Sequence, residues 1–180
     1  MRRISRTHYK RAAETTVAAV LVAVAVCVGP PAPAHATSID VECAGSFARS
    51  FSPAVTTTSQ TVTVTESNDY NTCVIGSAAT GADTVSLALA CVPVTAGPAI
   101  TETVTWNDAT GGTSTVSWSA PTVVGQTVVF TGTVTAGRYV GDSAAKVTSG
   151  ISYVGSVVAC LLGTPISSTT GLIDSLLLIQ

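Results

Sequence analysis

After residue 36 the chain alternates with a period of two, and the alternation is carried mainly by β-branched valine and threonine. Successive strand residues point to opposite faces, whereas helical faces repeat every three to four residues, so the pattern commits the chain to sheet. Thr61-Val62-Thr63-Val64-Thr65 is the cleanest stretch. Ser67-Asn68-Asp69-Tyr70-Asn71 then reads as a turn, with a new strand entering at Cys73-Val74-Ile75. Residues 84–92 form a further strand closed by Pro93, and 100–106 and 114–118 flank a Gly-containing hairpin signal at 107–112. The cleanest long strand is expected at 126–135, followed by a turn at 137–142 and two further apolar runs, 151–162 and 171–179. Short, regularly spaced strands without a helical stripe predict an all-β sandwich or barrel. No linker or internal repeat interrupts 37–180, which is read as a single domain.

The two faces differ in chemistry. Ile100, Val104 and Trp106 share a phase with an intruding Glu102, and Val116 and Trp118 share the matching phase across the hairpin. The opposite phases carry ranks of threonine: 61, 63 and 65; 101, 103 and 105; 131, 133 and 135. The expected core is therefore aliphatic and aromatic, and the wet face is hydroxylated rather than charged.

Residues 1–36 read as a secretory signal peptide, with a basic segment ending at Arg11, an apolar run at 17–28 and Ala34-His35-Ala36 as the cleavage pattern. Both histidines and five of the eight basic residues lie in that segment. Cleavage after Ala36 leaves three basic and nine acidic groups, a formal charge of −6, and places the product outside the cytoplasm, secreted or associated with the cell envelope.

In an oxidising compartment Cys43, Cys73, Cys91 and Cys160 should form two disulfides. Ile39, Val41 and Cys43 share one inward phase, and Val85, Leu87, Leu89 and Cys91 another. If 43–73 folds back near Ser52-Pro53 its ends meet, giving Cys43 to Cys73 and leaving Cys91 to Cys160. The Cys91, Trp106, Cys160 order resembles the layout of immunoglobulin domains, although Val158 stands where their tyrosine would be. The resemblance implies an immunoglobulin-like antiparallel β-sandwich stapled by two disulfides.

Catalytic readings lack parts. Without histidine after residue 36 neither a Ser-His-Asp nor a Cys-His arrangement can be assembled. Ser143-Ala144-Ala145-Lys146 matches a serine-lysine spacing that works only on a helix with further motif elements. The nine acids read as a solubilising surface rather than a glycosidase pair. No metal site and no cofactor is expected, since histidine and Cys-x-x-Cys pairs are missing and no calcium loop is spelled out around Asp69 or Asp108. Three basic groups against nine acids exclude a nucleic-acid surface, and no membrane contact is expected after cleavage.

Trp106-Asn107-Asp108 leading to Gly112-Thr113-Ser114-Thr115, the segments 125–129 and 131–142, Cys43-Ala44-Gly45-Ser46 with Phe51-Ser52-Pro53, and the late Cys160 are similar to a group of small secreted actinobacterial proteins of unassigned function. That resemblance implies a sandwich and no particular reaction. The expectation is a non-catalytic extracellular or envelope binding module for a protein or glycan, with Arg138, Tyr139, Asp142 and Tyr70 as candidate surface residues. The alternatives are a hydrolase using carboxylates or Ser143 with Lys146, and a small protease inhibitor.

Overall fold

The computed structural model describes residues 37–91, 98–150 and 153–180, all within one compact unit, Ala36–Gln180. The leader at 1–36 and Pro93 lie outside the described residues. The elements in chain order are β1 (Ile39–Val55), β2 (Gln60–Ile75), β3 (Ala79–Leu89), β4 (Ile100–Trp106), β5 (Thr113–Trp118), β6 (Thr122–Val124), β7 (Thr127–Gly137), β8 (Ser143–Ser149), α1 (Tyr153–Leu161) and β9 (Ile166–Ile179).

Eight of these strands close into a ring in which every neighbour is antiparallel: β1, β2, β3, β4, β5, β7, β8, β9 and back to β1. The fold is an up-and-down β-barrel with β6 paired onto β7 outside the ring. This replaces the expected pair of packed sheets. Period-two alternation is common to sandwiches and barrels, and what separates them is curvature. Here β1, β2 and β9 run 17, 16 and 14 residues, and register shifts near Cys43 and Gly45 bend β1 between its two neighbours. Gly45 is needed at that bend, because a Cβ there would collide with the Asp69 carbonyl.

Both expected disulfides are present. Cys43 and Cys73 are register partners on β1 and β2, and Cys91 after β3 is joined to Cys160 on α1. The reversal between β1 and β2 comes slightly later than expected, since β1 continues through Ser52 and Pro53 to Val55. Two further expectations change. Residues 67–71 are continuous strand within β2, because Asn68 and Tyr70 turn inward to buried partners. The run at 151–162 contains α1 instead of a strand, ended by Gly163 at positive φ with Thr164 N–H bonded to the Ala159 carbonyl. A short apolar run does not by its periodicity distinguish strand from helix.

The interior is filled in layers. One apolar cluster, with Val41, Phe47, Val104, Trp106, Val134 and Leu178 among its members, lies toward the end where β1 begins and β9 finishes. A second, Val55, Val62, Val64 and Leu89, occupies the other. Along β1, β2 and β3 a polar layer separates them: Arg49, Glu66 and Asp83 are successive register partners. An eight-stranded barrel has room for side chains and little else, and glycines make that room. Gly171 lies beneath the Phe47 ring, where a Cβ would approach to 2.6 Å, and Gly132 lies beneath Trp118.

Candidate functional site

The polar layer is built on Lys146. Its side chain leaves β8, is fully buried, and spans the barrel to donate to Glu102 Oε2 at 2.9 Å and Glu66 Oε1 at 3.3 Å. Trp118 and Phe130 flank the ammonium at 5.3 and 5.1 Å. Glu102, also fully buried, accepts four hydrogen bonds: Asn68 Nδ2 and Tyr70 Oη on Oε1, and Trp118 Nε1 and Lys146 Nζ on Oε2. Gly81 is part of this arrangement, since a Cβ at that position would strike Glu102 Oε1 and crowd the Tyr70 ring.

Burial opposes charge on Glu66, but Arg49 and Lys146 outweigh it and hold the carboxyl below its ordinary range. Burial likewise opposes charge on Lys146, and Glu102 and Glu66 overcome it, so its pKa rises. Asp83 has no such cation. Burial first, and Glu66 second, push it up to about 7. The layer thus holds two cations, Glu66 and Glu102 bonded to them, and a third carboxyl, Asp83, that is neutral below about pH 7. Asn68 Oδ1, Asp83 Oδ2 and Thr148 Oγ1 are buried there without a hydrogen-bond partner among the described residues.

The expected surface residues do not form one site. Tyr70 is fully buried, so its reading as an exposed turn residue is corrected; its hydroxyl serves Glu102, and burial with that carboxylate raises its pKa well above the usual value. Arg138 pairs with Asp108 at 2.5 Å and also donates to Thr110 Oγ1, so its guanidinium bridges to the 107–112 turn. Tyr139 sits at positive φ and packs edge-on against Trp106. Asp142 is buried. Asp108 also accepts from Thr110 and Ser77, and these bonds together with Arg138 hold it well below the carboxylate range. Nor are the acids a purely external set, since Glu66, Asp83, Glu102 and Asp142 are all buried.

Sequence reasoning missed the layer as a unit although its signal was present. Glu66 has the phase of Val62 and Val64, and Asp83 that of Val85 and Leu87. Only Glu102 stood out as a charge on a core phase. Ser143 is exposed and Lys146 buried, as three-residue spacing on a strand requires, so the two cannot act as a serine-lysine pair.

The threonine ranks on β2, β4 and β7 face outward as expected, although Thr63 is partly covered. Also on the outer wall, an open groove of about 800 Å³ crosses β9, β1, β2 and β3. Ser46, Ala48, Ser67, Asp69, Thr80 and Ala82 are among the residues that line it, and the exposed Leu172 borders it. No protein-family model, curated protein or solved structure matches the chain.

Proposed function

We propose that the protein is a secreted, non-catalytic binding module that holds an extracellular protein partner in the groove across β9, β1, β2 and β3. The supporting observation is the contrast between the two sides of the barrel wall. Inside, large side chains fill the barrel, and Lys146 and Glu102 are bonded to each other and to their neighbours. Outside, small and hydroxyl-bearing side chains leave an open groove. A protein segment fits better than a glycan, because no aromatic side chain within 37–91 or 98–150 is exposed to stack on a sugar ring. Outward ranks of threonine, where a membrane barrel carries an apolar band, favour an aqueous setting. The two disulfides agree with an oxidising compartment. Such a module needs no triad, metal or cofactor.

Immobilised protein, challenged with envelope extract and culture supernatant, should retain a partner that Ala82→Trp, which fills the groove from an outward position, fails to retain. Equal capture by both forms would remove the groove from the reading. Turnover in a panel of glycoside, ester and peptide substrates would defeat the reading altogether.

A further inference from the structure

Glu102 lies between an amine and a carboxamide. Lys146 Nζ donates to one of its oxygens at 2.9 Å and Asn68 Nδ2 to the other at 2.8 Å. All three side chains are buried, and Trp118, Phe130 and Tyr70 border them. The arrangement joins a nucleophile, a proton carrier and an electrophile with a leaving group, in a site closed to bulk water.

We propose that Lys146 and Asn68 form an intramolecular isopeptide bond, with Glu102 as the proton carrier. The ammonium gives one proton to Glu102, and the free Nζ attacks Asn68 Cγ. A Cγ–Nζ bond forms and the Cγ–Nδ2 bond breaks. The second Nζ proton passes to Nδ2, which leaves as ammonia while Glu102 remains protonated. Atoms and charge balance without oxidant, reductant or cofactor. The interior loses one cation and one anion together, removing the cost of keeping an ion pair away from water.

Asn68 is the favoured electrophile for two reasons. Its amide carbon carries no charge to repel the amine, whereas Glu66 is held as a carboxylate by Arg49. Its departing nitrogen already touches the group that carries the proton, and its carbonyl oxygen is tied to no other group among the described residues. Lysine is suited to the other side, since its long flexible stem lets Nζ swing from Glu102 Oε2 toward the Asn68 amide held on the other oxygen of the same carboxyl group. The product would link β8 to β2, strands that are not neighbours in the ring.

The full chain is secreted, reduced, and weighed intact. The expected mass is about 17 Da, one ammonia, below that of the reduced sequence from its observed N-terminus. A digest should contain a branched peptide joining the Asn68 segment to the Lys146 segment. Glu102→Gln, which keeps both reacting residues, should lack the mass loss and the branched peptide. An unshifted wild-type mass overturns the proposal, and so does a 17 Da loss that maps elsewhere. A deficit of about 18 Da, one water, would place the bond on a carboxyl and overturn the assignment to Asn68. The wild-type measurement decides the bond even if the variant does not fold; a bond persisting in folded Glu102→Gln would overturn the role of Glu102.

Discussion

Arg49 on β1 and Glu66 on β2 are register partners whose side chains form an ion pair inside the barrel, and the next residue in that row, on β3, is Asp83. Three ionisable groups thus stand side by side on adjacent strands with one cation among them. Lys146 supplies the second cation from the opposite wall, and Asp83 is the carboxyl left over. That imbalance underlies the first prediction.

Asp83 takes a proton in the folded state at a pH where an unfolded aspartate has already lost it, since burial and Glu66 raise its pKa from 3.8 to about 7. Its protonated form therefore gives a relative stability that is present at low pH and is lost as pH rises from about 4 to 7. Glu66 acts in the opposite sense, because its lowered pKa contributes stability that is lost as pH falls through the acidic range. The gain in urea stability of Asp83→Asn over the wild type should begin above about pH 4 and be larger at pH 8 than at pH 5 by about 1–3 kcal/mol. Parallel pH profiles for the two proteins would contradict this.

Gly81 and Gly111 should respond differently to alanine. At Gly81 the added methyl strikes Glu102 Oε1 and crowds Tyr70, which disrupts the hydrogen bonds on that carboxylate. The expected loss is about 3 kcal/mol. At Gly111 nothing lies within 4 Å, and only the positive φ of 56° is unfavourable. The expected loss there is about 1 kcal/mol. Thermal melts of both variants give the comparison.

The two disulfides close loops with sequence separations of 30 and 69 residues. On chain-entropy grounds they contribute about 3.7 and about 4.4 kcal/mol. The larger effect should come from Cys91–Cys160, and its location adds a local signature. Replacing that pair by serine should speed hydrogen exchange at 156–164, whereas replacing Cys43–Cys73 leaves β1 and β2 joined by their backbone ladder.

Ser143 lies on the outer face of β8, away from Lys146. Ser143→Ala should change stability by no more than about 0.5 kcal/mol. It should not alter the intact mass except by the substitution itself.

Much of the fold was legible because alternation is local. Strand positions, the hairpin at 107–112 and the outward threonines all follow from neighbouring residues. The cysteine pairing was legible because parity and phase left few options. Closure was not, since the pairing of β5 with β7 and of β9 with β1 joins segments whose own sequences carry no record of curvature. The same reason concealed the polar layer. Each of Glu66, Asp83, Glu102 and Lys146 looks like an isolated fault in an apolar phase, and each becomes intelligible once the ring brings the others within reach. Tyr70 was misread because a run of polar residues resembles a turn when the partners that satisfy it are far along the chain.

The pairing of all three basic side chains of 37–180 also shapes the field around the molecule. Arg49 and Lys146 are committed to the barrel interior and Arg138 to Asp108, while Asp69 and Asp174 remain exposed. Among the described residues the exposed charge is anionic and no cation is free. A field of that sign attracts cationic groups and repels anionic polymers over roughly a Debye length, about 8 Å at physiological ionic strength. Association with a basic partner should slow as salt is raised, while dissociation, governed by short-range contacts, changes little.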